Sequence, residues 1–254
     1  MKRIFSTLLF LVLLLTLVGA RESQKPPCAP NIGLCPLEGC SPDNHHDPNL
    51  NKVKNIKSSN ESVEDHTLTW MKSLDDPDNF MEGGDREELE ELGEGKKVRV
   101  TAYLLMARDE PGGESCNCYL HDIQQTDNHL VLVTRTTVDT FPLSSHPNNN
   151  TLKTVLDQRE RESITAEYTP RVRKNGHPNF LKAKIQPLID AAPQRALKVR
   201  VTGQLMFDSE HFIRHKLKRV NNWELHPVLK MEYCSTGISC KPKSDTGWKS
   251  IDDQ

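Results

Sequence analysis

The chain has 254 residues, a near-neutral formal charge of −2 and an apolar fraction of 35%. That length bounds it to one sizeable domain plus an extension, and the low apolar fraction places part of the chain outside any core. Residues 21–94 hold 7 Lys/Arg against 17 Asp/Glu and residues 95–254 hold 24 against 18, so an acidic arm precedes a mildly basic domain, and no segment after the first twenty residues can cross a membrane.

Residues 1–20 read as a secretory signal peptide. Lys2 and Arg3 precede an apolar run ending at Val18, and Val18-Gly19-Ala20 offers a small-residue cleavage site. The alternative is an uncleaved anchor, but the run is shorter than a span needs. The reading implies a secreted or periplasmic protein with no membrane span after cleavage. Residues 21–94 form the acidic, cysteine-containing arm, rich in Pro, Asn, Asp and Ser up to about residue 60. So polar a segment is expected to be peripheral and mobile. Residues 62–74 predict a short helix, and residues 87–92 an acidic helical turn ended by Gly93-Glu94-Gly95.

The domain at residues 95–234 opens with a strand in which Val98, Val100, Ala102, Leu104 and Met106 alternate with Arg99, Thr101, Tyr103 and Leu105. Pro111-Gly112-Gly113 makes a turn, and residues 115–122 and 129–135 predict second and third strands. After a loop containing Asn148-Asn149-Asn150 comes a further short strand at 164–169. A helix follows at 179–191, which Pro187 is expected to kink or end. Residues 198–207 alternate again, and residues 223–233 form an aromatic and β-branched strand interrupted by Pro227. Residues 235–254 are a C-terminal tail.

Three strands, an excursion with a helix, and two more strands give a mainly β, five-stranded OB-fold-like barrel with a helix between the third and fourth barrel strands. Val98-Arg99-Val100-Thr101 recurs as Val199-Arg200-Val201-Thr202, as expected if the first and fourth strands are neighbours. Thr169-Pro170-Arg171-Val172-Arg173, His177-Pro178-Asn179, the run VRVTGQLMFDSEH and Trp223-Glu224-Leu225-His226-Pro227 resemble a group of secreted bacterial OB-fold-like proteins of unassigned function. The resemblance covers roughly residues 98–233. It implies the fold and export, and it carries no activity. The acidic calcium cluster and paired arginines of staphylococcal-type nuclease have no counterpart here.

All seven cysteines follow the signal segment, so disulfides are the default and one thiol is left over. Cys28, Cys35 and Cys40 lack zinc-knuckle spacing and read as staples. Cys116 and Cys118 share a face of a predicted strand and need partners elsewhere. Cys234 and Cys240 are expected to form a local disulfide, the alternative being a bridge from Cys234 to the arm.

No nucleotide-binding or nucleophile-elbow motif is present. The polar residues that stand out are Asp127, His129, Glu167, Arg171, His211, Glu224 and His226. Of these His129, Glu167, His211 and His226 make a candidate divalent-metal set, with His129 and His226 expected side by side on paired third and fifth strands; the alternative is a self-satisfied barrel rim. The loop 208–222 carries Arg214, Lys216, Lys218 and Arg219. With Trp223 and Arg171 these form a candidate ligand-binding surface for a polyanion, either single-stranded nucleic acid or a glycan. Two functions follow. The first is an exported binding or scaffolding module that needs no cofactor. The alternative is a metal-dependent, phosphodiesterase-like hydrolase using the His/Glu cluster.

Overall fold

A computed structural model describes residues 25–55, 62–77, 80, 83–211 and 218–253. The expected signal peptide lies outside the described residues. Seven strands are present among them: β1 (Glu64–Thr67), β2 (Lys97–Asp109), β3 (Asn128–Val133), β4 (Ile164–Tyr168), β5 (Leu197–Phe207), β6 (Trp223–Cys234) and β7 (Trp248–Ser250). Hydrogen bonding runs β2-β3-β4-β6-β5, and β5 pairs back onto β2, which closes a five-stranded barrel. The β4–β6 pair is parallel and the other barrel pairs are antiparallel. This is the expected OB-fold-like connectivity. The two Val-Arg-Val-Thr runs are direct partners, with Val100 opposite Val201 and Arg99 opposite Thr202.

Alternation explains the core. Val98, Val100, Ala102 and Leu104 of β2, Leu130 and Leu132 of β3, Ile164 and Ala166 of β4, and Leu225 of β6 all enter one buried cluster. Outside the barrel wall, Tyr103, Leu105, Val131 and Val133 are covered by Val138 of helix α4 (Arg135–Thr140), where α1–α3 are Pro48–Asn55, Leu68–Lys72 and Glu87–Glu91. Helix α5 (Asn149–Glu160) follows, then α6 (Pro170–Lys174) and α7 (Lys182–Ala191). The last two lie between the third and fourth barrel strands, as expected, and α7 continues through Pro187. Gly203 sits where the β5–β6 register shifts, and a Cβ there would come within 3.1 Å of Leu225 and of the Pro227 carbonyl.

Three local expectations change. Residues 115–122 are not a strand: Ser115–Asn117 is a 3-10 turn, and Cys118 and Tyr119 adopt left-handed backbone conformations (φ 55° and 57°) that a ladder cannot use. The second and third barrel strands are therefore β3 and β4, and the first inter-strand loop spans 110–127. Residues 62–74 split into β1, which adds to β2, and α2, capped by the Thr67 side chain accepting from the Trp70 N–H. Asn148 caps α5 in the region read as a loop, its side chain accepting from the Thr151 N–H.

The arm is not a peripheral appendage. Cys28–Cys40 closes it on itself and Cys35–Cys118 ties it to the first inter-strand loop. Ile32 and Leu50 are fully buried. Composition alone misses this because covalent ties and a few apolar anchors offset the ordering entropy. The expected Cys234–Cys240 bridge is present, and Cys116 is the free cysteine. The tail also packs: β7 extends β6, Ile251 enters the barrel core, and the Asp252 carboxylate pairs with His177 Nδ1 at 2.7 Å. Three disulfides fit an oxidising compartment. Among the described residues no helix is long and apolar enough to cross a membrane.

Candidate functional site

Polar residues alternate with the core positions on β3, β4 and β6 and occupy the outer face of the barrel. His129 is the direct cross-strand partner of Glu167, and Thr165 is the partner of Glu224, with Leu130, Ala166 and Leu225 pointing the other way into the core. His129, Glu167, Glu224 and His226 thus share one surface. The first inter-strand loop and the loop after β5 flank it, and these are the elements with which OB-folds hold ligands. A cavity of about 290 Å³ opens there, lined among others by Lys54, Arg108, His129, Glu167, His211 and Lys218.

Glu167 lines this cavity, and behind it Asp127 and His226 are buried in the wall; one ligand atom from each of the three lies within 4.8 Å of the others. His226 is 0% exposed, yet neither ring nitrogen has a hydrogen-bond partner. Its Nδ1 lies 3.4 Å from Glu167 Oε2 and 3.6 Å from Glu224 Oε2, and its Nε2 lies 3.7 Å from Asp127 Oδ2. Asp127 Oδ1 and Glu167 Oε2 are also unpartnered. These buried groups face one another as ion pairs at 3.4–3.7 Å without good hydrogen-bond geometry, an arrangement that a bound cation would tighten. Zinc or manganese suits such a nitrogen and oxygen donor set.

The surrounding groups fix this arrangement. Glu224 is held by Arg219, which also donates to Asp208 Oδ2 at 2.6 Å. The second Glu167 oxygen pairs with His129 Nε2, and His129 Nδ1 lies 3.3 Å from Glu110. Burial works against the His129 cation, but the Glu167 and Glu110 carboxylates lift its pKa to about 10. Burial likewise opposes ionisation of Glu167, and the two histidines overcome it, holding the carboxyl below its ordinary range. Asp127 moves upward, through burial and the neighbouring Glu114 charge.

The sequence motifs build this site from behind. Thr169 caps α6 through its side chain, and the two arginines of that helix brace separate segments. Arg173 donates to the Thr126 and Ile123 carbonyls, fixing the turn that carries Asp127. Arg171 donates to Asn55 Oδ1 at 2.9 Å and to the Cys35 carbonyl at 2.7 Å, fixing the arm that delivers Lys54. Lys54 is buried, with its Nζ 3.5 Å from Glu210.

The structure brings His129, Glu167 and His226 together, although His129 lies on the second barrel strand and Glu167 stands between the two histidines. His211 does not join them. Its Nδ1 pairs with Asp208 Oδ2 at 2.9 Å on the cavity wall. The expected ligand surface is largely committed elsewhere. Trp223 is fully buried against Phe207 and donates its indole N–H to the Asp75 carbonyl at 2.9 Å, so it offers no stacking face. Arg171 and Arg219 are spent on internal partners. Lys218 is exposed at the cavity, and Arg214 and Lys216 lie outside the described residues. Sequence reasoning missed Lys54, Glu114, Cys116 and Asp208, which reach the site only through tertiary approach. No known protein family matches this chain, and neither a curated relative nor a solved structure does.

Proposed function

We propose that this chain is an exported, metal-dependent hydrolase that acts on an anionic substrate of the phosphodiester class on the outer face of its barrel. The observation that carries the reading is the buried Asp127–Glu167–His226 group, which meets an open cavity through Glu167. A divalent ion held there would supply Lewis acidity for attack on a phosphorus centre. Asp127, Glu167 and His226 would hold the ion, and Glu224, 3.6 Å from His226 Nδ1, would orient the ring. His129 reaches the cavity from between Glu110 and Glu167 and is placed to deliver a proton to a departing oxygen. Lys54, His211 and Lys218 supply positive charge around the opening for a phosphate group.

The polyanion-binding module uses the same face without the chemistry, and Lys218 and Lys54 favour it equally. One experiment separates the two. The protein is stripped with chelator, reloaded with zinc or manganese, and assayed on bis(p-nitrophenyl) phosphate and for binding of a single-stranded oligonucleotide. Hydrolysis that requires metal and is lost in His226→Ala and Glu167→Gln supports the enzyme. Oligonucleotide binding that is indifferent to metal, without hydrolysis, replaces it with the binding module.

A further inference from the structure

Cys116 is anomalous in a chain whose other six cysteines are paired. It is 2% exposed and two residues from the Cys35–Cys118 bridge, and its Sγ lies 3.5 Å from Glu114 Oε2 and 4.0 Å from Asp127 Oδ2. A buried apolar residue would fill such a position if packing were all that it required. Instead the thiol faces two carboxylates, and one ligand atom each from Glu114, Cys116 and Asp127 lies within 4.8 Å of the others. Asp127 belongs to this group and to the group with Glu167 and His226. Its Oδ2 lies between the two, 4.0 Å from the Cys116 sulfur and 3.7 Å from His226 Nε2. Its Oδ1 is buried and unpartnered, as is the Oδ1 of the adjoining Asn117.

Asp208 and Glu224 are answered by Arg219, and Glu167 by His129. Asp127 faces His226 Nε2 at 3.7 Å, and the buried Lys54 ammonium beside Cys116 and Glu114 lies 3.5 Å from Glu210. A cation bound between Cys116, Glu114 and Asp127 gives the thiol a role that packing does not.

We propose a second metal position on this face, held by the Cys116 thiolate and Glu114 and sharing the Asp127 carboxylate with the first. This rests on the metal reading of the Asp127–Glu167–His226 group. Its ligand set of sulfur and oxygen favours zinc over manganese or magnesium, since a thiolate is a soft donor. Binding there releases the thiol proton to solvent as the sulfur–metal bond forms. Two ions bridged by one carboxylate, about 3.5–4 Å apart, form the clamp that stabilises both attacking and leaving oxygens in phosphodiester displacement. The shared Asp127 therefore favours a phosphodiester over a neutral ester or amide.

Cobalt(II) is the probe, because it occupies zinc sites and its bonds to thiolate absorb in the near ultraviolet. The chain with its disulfides intact and one titratable thiol is stripped of metal and titrated with cobalt. Two equivalents are expected, with a thiolate band that disappears in Cys116→Ser and Glu114→Gln still taking up the first equivalent. Far-ultraviolet circular dichroism and a count of intact disulfides establish that each variant is folded. Uptake that stops at one equivalent overturns the second position and leaves the first standing. No uptake at all overturns both. A near-ultraviolet band that persists in folded Cys116→Ser also overturns the assignment of the thiol.

Discussion

His129 on β3 and Glu167 on β4 are direct cross-strand partners, and the carboxylate that pairs with His129 through one oxygen turns its other, unpartnered oxygen toward His226 at 3.4 Å. A single glutamate thus links the cavity-facing histidine to the buried one. The barrel supplies this geometry without loops: β3, β4 and β6 are adjacent, and the period of two puts alternate residues on the outer face. Loops then add what strands cannot, namely Asp127 from the first inter-strand loop and Arg219 after β5.

The buried Arg86–Glu94 pair joins the end of the arm to the barrel through both backbone groups of Phe207. Arg86 Nε and Nη2 each donate to Glu94 at 2.6 Å and Nη2 donates to the Phe207 carbonyl at 2.6 Å, with side chains 6% and 1% exposed. Arg86→Met leaves Glu94 buried without its cation and is expected to cost about 3–5 kcal/mol. Urea denaturation measures this. A loss below about 1 kcal/mol would mean that water takes over the arginine's role.

The longest- and shortest-range of the three disulfides should differ in what they contribute. Cys35–Cys118 closes a separation of 83 residues and Cys234–Cys240 one of 6. Loop-closure entropy assigns about 4–5 kcal/mol to the first and about 2 kcal/mol to the second. Paired Cys→Ala variants compared by denaturant midpoint should show that order. The Cys35/Cys118 variant should also weaken metal uptake, because the bridge anchors the loop bearing Glu114 and Cys116.

Asp208 sets the charge state of His211. Hydrogen bonding and attraction from its carboxylate raise the His211 pKa to about 9. Because the folded pKa exceeds the unfolded value, the stabilisation is fully present below about pH 6.5 and is lost as pH rises through about 9. Titrating the His211 ring resonances should give that value in the native chain and one near 6.5 in Asp208→Asn. A native value near 6.5 would remove His211 from the cationic rim.

Much of the fold was legible because it follows from local pattern. The repeated Val-Arg-Val-Thr runs predicted adjacent strands, and they are register partners. Alternation marked β2, β5 and β6 correctly. Residues 115–122 misled because Cys118 and Tyr119 look extended in sequence, and only the disulfide and the left-handed backbone show the turn. That slip moved His129 to the wrong strand, yet His129, Glu167 and His226 still converge, since β4 lies between their strands. Trp223 was a candidate for the ligand surface, with core packing the alternative, because a strand start is ambiguous between rim and core. It packs on Phe207, whose partner it is across the β5–β6 ladder. Lys54 had no legible signal: it is one lysine in a polar arm, brought in by α1 docking behind two disulfides.

Lys218 is the described cation of the basic loop that stands free at the cavity. Lys218→Gln is expected to leave stability within about 0.5 kcal/mol and to raise KM for a phosphodiester more than it lowers kcat. An unchanged KM would place the substrate's charge against Lys54 and His211 instead.

In the proposed hydrolase Asp127, Glu167 and His226 jointly hold a divalent ion. Anomalous diffraction at the zinc edge, from crystals grown with zinc, tests it most directly. The account predicts a peak about 2.0–2.2 Å from a His226 ring nitrogen and from oxygens of Asp127 and Glu167. Crystals in which zinc binds elsewhere while these three side chains enclose only water or one another would contradict it.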